Sequence, residues 1–192
     1  MSTINQSSEG LHQGAKALRN IYFIRVAFSL IWAISLVISL KSNAFVANIL
    51  FVIYPLWDAI AIWLDLKANT SEASKVSQYI NLIISVLTAI AVALALRAGV
   101  PAAMMVIGAW AIIAGLAQLT LGIKRRKALG GQWPMIISGG QSALAGSFFI
   151  AMANDPKMGI SSLVGYSLFG AFYFLLTAIR LNMKIRKQAS LS

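Results

Sequence analysis

Lys124-Arg125-Arg126-Lys127 stands between two apolar runs, residues 101–122 and 133–153, each about the length that crosses a bilayer. Four consecutive cations in a chain of net charge +11 first suggest a nucleic-acid surface. Such surfaces interleave their cations with aromatic or polar readers in a folded patch. Here the cations are instead spread over several short segments between long apolar ones. The chain is 59% hydrophobic and 11% charged, with mean hydropathy +0.78, whereas soluble domains run near a quarter charged. Its apolar runs of roughly 20 residues, at ~1.5 Å per residue, match a ~30 Å hydrocarbon core. Helices apolar on every face cannot solvate a soluble fold. The composition predicts an all-α, polytopic membrane protein.

Six spans are expected, at about 20–40, 44–65, 76–97, 101–122, 133–153 and 160–181. They form one transmembrane domain, 20–182, between an N-terminal tail, 1–19, helical at most in its last turn, and a C-terminal tail, 183–192. Breaker chemistry marks the joints: Lys41-Ser42-Asn43, Arg97-Ala98-Gly99-Val100-Pro101 and Asn154-Asp155-Pro156-Lys157. Pro101 and Pro134 fall at helix starts, where the missing N–H costs nothing. Pro55 lies inside the second span, where it should kink the helix and free a carbonyl. The first apolar run is too long for a cleaved signal peptide and reads as a retained span.

Counting cations gives the orientation. One side, made of both tails and the 2–3 and 4–5 loops, holds thirteen Lys and Arg residues. The other holds Lys41, Arg97 and Lys157. This positive-inside pattern puts both termini in the cytoplasm and makes Lys124, Arg125, Arg126 and Lys127 topology determinants on a loop. The expected partner of that basic side is the anionic headgroup layer, at about 1 kcal/mol per cation, and not nucleic acid. A homo-oligomeric or other membrane-protein partner stays open.

Composition also removes chemistries. The chain has no cysteine, which excludes disulfides, thiolate nucleophiles and Cys-type metal sites. The single histidine, His12, falls in the polar tail, and five acidic residues are too few for a carboxylate metal cage. No cofactor is expected. Gly140-Gln141-Ser142-Ala143 has a hydrolase-elbow look, but it lacks the second glycine and a histidine base. With short loops and no nucleophile–base set, the chain does not read as an enzyme.

Weak self-similarity divides the spans into three repeated hairpins of roughly 55 residues. Leu82-Ile83-Ile84-Ser85 matches Met135-Ile136-Ile137-Ser138, and Gly108, Ala114 and Thr120 match Gly165, Ala171 and Thr177. Gly108-Ala109-Trp110, Gly115 and Gln118 precede the basic loop, and Trp133-Pro134, Ser138-Gly139 and Gly146 follow it. This order resembles the HdeD-like family of small bacterial membrane proteins, built from repeated two-helix units of unknown function. The resemblance implies a bacterial inner-membrane location and a link to acid resistance. The first hairpin departs from the pattern, with Asp58 and Asp65 where the repeat would put Gly115 and Gly122.

Two sets of residues stand out. Gly139, Ala143 and Ser147, the adjoining Ser138, Ser142 and Gly146, and Gly108, Ala111, Gly115 and Gly122 form small-residue faces that read as helix–helix seams. Asp58 is an acid deep in a span, where an aspartate costs about 2.5–3.5 kcal/mol on insertion scales. It should therefore face the bundle or a wet cavity, be protonated, or be paired, and its natural partner is Arg25 on the first span. Tyr54 flanks it, span three offers Asn81, Ser85 and Thr88 on one face, and span four offers Gln118. Asp58, Arg25, Tyr54, Asn81 and Gln118 are therefore the candidate intramembrane polar site. Trp63 and Trp133 are placed for an interfacial belt.

Three functions compete on this evidence. The first is a stress-linked membrane protein with a polar core around Asp58. The second is a small transporter or channel for protons or a small solute. The third is an accessory subunit docking on a larger complex.

Overall fold

The computed structural model describes the backbone of residues 2–68, 72–129 and 132–189, and the side chains of 13–68, 75–127 and 132–187. Those residues form six helices: α1 (Ser2–Ser42), α2 (Ala44–Ala68), α3 (Glu72–Ala95), α4 (Val100–Leu129), α5 (Trp133–Ala151) and α6 (Ser162–Ala189). Each packs on its neighbours in the chain, and α6 returns to α1, which closes a six-membered ring. Paired contacts show antiparallel neighbours: Arg25 with Asp58 and Trp32 with Leu50, Asp58 with Ser85 and Asp65 with Gln78, Gly115 with Gly139 and Gly108 with Gly146, and Arg19 with Asn182 and Ser29 with Ser167.

The burial pattern inverts that of a soluble bundle. On α3, Ile83, Leu87, Ile90 and Leu94 are exposed, while Gln78, Ser85 and Thr88 are buried on the opposite face. Ile31, Ile34 and Ile38 do the same on α1, and Leu144 and Phe148 on α5. Apolar side chains facing outward, with polar ones inside, suit hydrocarbon and not water.

Five of the helices are long and apolar enough to cross a membrane. The exception is α5, which the sequence read as an equal sixth span. Its 19 residues include Ser138, Gly139, Gly140, Gln141, Ser142, Gly146 and Ser147, which dilute its apolar character. It nevertheless lies along α4 for most of its length.

The ends differ from the sequence reading at three places: α6 continues to Ala189, through the described part of the expected tail 183–192, because the chain stays helical past the last apolar residues, and the other two concern α1 and α4. First, helix α1 begins at Ser2, so the expected tail continues directly into the first span. Leu18 and Tyr22 hold its lower turns against Phe174, Ala178 and Leu181 of α6, and Arg19 donates to Asn182 at 2.9 Å. His12 lies on this helix, with its side chain outside the described residues. Second, α4 continues to Leu129, so Lys124 to Lys127 are helical and do not form a loop.

Pro55 sits buried within α2, and the helix continues through it. A proline at 55 leaves the Phe51 carbonyl without its helical donor. The adjoining Leu50 carbonyl is bonded from outside the helix, by Trp32 Nε1 at 2.8 Å. Here begins the larger core cluster, with Trp32, Leu36, Phe51, Val92, Met104, Ile107, Phe149 and Leu163 filling the end of the ring away from the basic segment.

The tightest seam joins α4 to α5. A Cβ at Gly115 would lie 2.6 Å from the Gly139 carbonyl, and one at Gly139 would lie 2.6 Å from the Gly115 carbonyl. Gly108 and Gly146 meet the same way two turns further along. The seam thus takes Gly139 from one predicted stripe and Gly146 from the other. A seven-residue spacing of this kind follows the drift of left-handed helix pairs.

Candidate functional site

One face of every helix turns toward a central cavity of about 400 Å³. The five sequence-predicted residues, Asp58, Arg25, Tyr54, Asn81 and Gln118, all line it. Helical spacing explains the convergence. Tyr22, Arg25 and Ser29 share a face of α1, Tyr54, Asp58 and Asp65 a face of α2, and Gln78 and Asn81 a face of α3.

Asp58 is fixed from two neighbouring helices, α1 and α3. Arg25 Nη1 donates to its Oδ1 at 3.1 Å, and the Ser85 hydroxyl donates to its Oδ2 at 2.9 Å. Ser85 in turn accepts from Trp110 Nε1 at 3.0 Å. Both carboxylate oxygens are therefore engaged, and the relay ties α1, α2, α3 and α4 together at one level. Arg25 also stacks its guanidinium 4.8 Å from the Phe174 ring of α6. Arg25 carries five N–H donors and gives one of them to Asp58. Above this level Tyr54 sits among Trp32, Trp110 and Tyr166, with ring centroids 4.4 to 6.0 Å away. Gln118 spends its amide on the Met135 carbonyl at 3.3 Å.

A second ion pair forms the floor. Arg125 Nη2 donates to Asp65 Oδ1 at 3.0 Å, and Nη1 makes an ion-pair contact with Oδ2 at 2.8 Å. This pair joins α2 to α4 across the ring. Gln78 Nε2 adds a long bond to Asp65 at 3.5 Å. Arg125 is only 6% exposed, so this member of the basic run is buried, while Lys124, Arg126 and Lys127 are exposed. Sequence reasoning missed the pair because Arg125 was counted among four equivalent loop cations. The signal was there: Arg125 falls seven residues after Gln118, on the face that carries Trp110 and Ala114. Asp65 likewise falls seven residues after Asp58.

Two acceptors facing the cavity are left over. Gln78 is 4% exposed and its Oε1 has no partner, nor does the buried Oδ1 of Asn81 one turn on. The Gln78 assignment is fixed by chemistry, because only its NH₂ can donate to a carboxylate. Buried polar atoms are almost always bonded, so this group marks where a guest with donors would sit. Among the described residues no cluster of metal-binding side chains occurs.

Two of the helices that line this cavity, α4 and α5, fall in a segment that a known family recognises. A family model described as a short repeat of unknown function (DUF308) matches residues 83–151. The DUF308 match runs from Ile83 on α3 through α4 to the end of α5, over a third of the chain. It includes Ser85, Trp110, Gln118, Arg125 and the glycine seam, and excludes Arg25, Asp58 and Asp65. No curated protein and no solved structure matches the chain. What the DUF308 repeat supplies is thus a scaffold of packed helices with one polar wall. Three of the four ion-pair residues, Arg25, Asp58 and Asp65, come instead from the first hairpin.

Trp63 and Trp133, the expected belt residues, are both exposed near the basic end, with Lys67 Nζ 3.6 Å from the Trp63 ring and the Arg126 guanidinium 5.8 Å from that of Trp133.

Proposed function

We propose that this is a multi-pass bacterial inner-membrane protein whose ring holds a binding chamber for a small uncharged polar molecule. Both termini and the basic end face the cytoplasm, as the cation count requires, and α5 crosses as the sixth span. The observation that carries the reading is the roughly 400 Å³ cavity, lined by Arg25, Asp58 and Asp65 and by Gln78 and Asn81, whose amide oxygens have no hydrogen-bond partner. Both acids are already neutralised by arginines, so a charged guest would find no counter-ion. The far end is filled by the Trp32–Phe51–Leu163 cluster, which favours a chamber over an open channel. The described lining residues offer hydrogen-bonding groups but include no cysteine or histidine, which favours a non-enzymatic role.

The link to acid or envelope stress enters through Asp58 and Asp65, the carboxylates that face the chamber. Protonating Asp58 removes the charge that holds Arg25 in the wall. With Asp58→Asn, survival at low external pH should fall to that of cells without the protein, while insertion and abundance are kept. Wild-type survival would overturn the acid link. The paired variant Arg25→Gln/Asp58→Asn separates the roles, because it restores a neutral hydrogen-bonded pair without a titratable group. It should stay folded and still fail in acid.

The chamber itself is testable because the chain has no cysteine. A thiol reacts as thiolate, which needs a polar environment. The Ala117→Cys variant, on the cavity wall, should react with N-ethylmaleimide about a hundredfold faster than Leu144→Cys, on the apolar exterior. Equal rates would sink the chamber.

A further inference from the structure

The chamber has a side opening. Of all its lining residues, those that are exposed among the described ones are Gln141, Gly165 and Phe169, and all three lie on α5 and α6. These helices make the sparsest of the six neighbouring contacts in the ring. Where they meet, the Ser142 hydroxyl lies 2.6 Å from the Tyr166 hydroxyl and Phe149 packs edge-on to Tyr166. Gln141 lies eight residues after Trp133, where α5 begins, which places it near the helix middle, about 12 Å from that end. An exposed amide at that depth has no water to bond.

The glycines there behave unlike those of the α4–α5 seam. A Cβ added at Gly165 or Gly170 would meet nothing within 4 Å, whereas one at Gly115 or Gly139 would strike backbone. Glycine normally serves helix packing in lipid by letting backbones approach. Gly165 and Gly170 pack against nothing, so what they provide is open space in the wall.

We infer that the ligand reaches the chamber sideways from the bilayer, between α5 and α6, and is a single-chain amphiphile with an uncharged hydroxylated head, of the monoacylglycerol type. This rests on the chamber reading above. The head chemistry follows from the atoms waiting for it. Gln78 Oε1 and Asn81 Oδ1 require donors, which the hydroxyls of such a head supply. The paired acids leave no charge for an ionic head. The tail leaves through the mouth past Tyr173 and Phe169, the latter 65% exposed. A cavity of this size lies in the range of small-ligand pockets, about 300–1,000 Å³.

The test uses the full chain in vesicles of phosphatidylethanolamine and phosphatidylglycerol, with a monoacylglycerol carrying a photoreactive diazirine in its chain. Crosslinks mapped by mass spectrometry should favour α6 residues 165–173 and the Gln141 turn over the outer face of α3, by about tenfold. Gly165→Leu/Gly170→Leu, which has room for its side chains, should bring the mouth down to the level of that face. Asn81→Leu, at the other end of the ligand, should do the same without touching the mouth. Excess glycerol should not compete; competition by glycerol would make the guest a water-borne polyol and overturn the lipid source. An even spread of crosslinks, with Ala117→Cys still reacting fast, overturns the amphiphile and leaves the chamber. An even spread with slow Ala117→Cys overturns both.

Discussion

Arg125→Leu is expected to cost about 3–5 kcal/mol of stability, the scale for removing one partner of a buried ion pair. Asp65 would be left buried with a single long contact, from Gln78 at 3.5 Å. The measurement is reversible unfolding in detergent, followed by helical signal, beside Lys124→Gln, Arg126→Gln and Lys127→Gln. Those three exposed cations should each change stability by less than about 0.5 kcal/mol. The double variant Arg125→Leu/Asp65→Leu should recover most of the loss, since apolar replacement of a whole buried pair is often neutral. The coupling read from that cycle is the evidence that the two act together. If Arg125→Leu behaved like Lys124→Gln, Arg125 would be a fourth exposed cation and the floor of the chamber would not exist.

That pair also marks how far the sequence could be read. The helices, their antiparallel succession and the Arg25–Asp58 partnership follow from length, breakers and register. A span has a fixed rise per residue, so two charges at similar depth on consecutive spans are bound to lie near each other. Asn81, Gln118 and Tyr54 reach the chamber for the same reason. Depth, however, does not give neighbourhood across the ring. Which helix stands beside α6 depends on ring closure, and no pattern in one helix encodes it. The Arg125–Asp65 pair spans α2 and α4, so it needed both that closure and an extra turn of α4 beyond residue 122. Lys124-Arg125-Arg126-Lys127 looked uniform because charge was counted without phase. On a helix, four consecutive residues point about 100° apart, and one of them had to face inward.

The glycines were legible as seams, but their two kinds were not. A glycine that admits a backbone and one that leaves a gap are the same letter, and only the neighbouring helix tells them apart. Substitution separates them sharply. Gly139→Leu places its Cβ 2.6 Å from both the Gly115 carbonyl and the Leu119 amide, backbone atoms that cannot turn aside. Overpacking costs about 1–3 kcal/mol and occasionally more; with rigid backbone on both sides, the upper end is expected. Gly115→Leu should match it, since that Cβ meets the Gly139 carbonyl and Ala143 amide at 2.6 and 2.8 Å. Gly140→Ala, one residue away, meets only the tip of Leu119 at 3.7 Å. Like Gly165→Ala and Gly170→Ala it should instead gain about 0.5–1 kcal/mol from the lost backbone freedom of glycine. Unfolding midpoints of the five variants in detergent check the order. The seam variants carry a second consequence. A helix α5 pushed off α4 can move only toward α6 or outward, and the α5–α6 contact is the sparsest in the ring. Gly139→Leu should therefore alter the reaction rate of Ala117→Cys even where the bundle stays folded, whereas Gly140→Ala should leave it unchanged. Identical labelling in both backgrounds would mean that α5 does not set the width of the mouth.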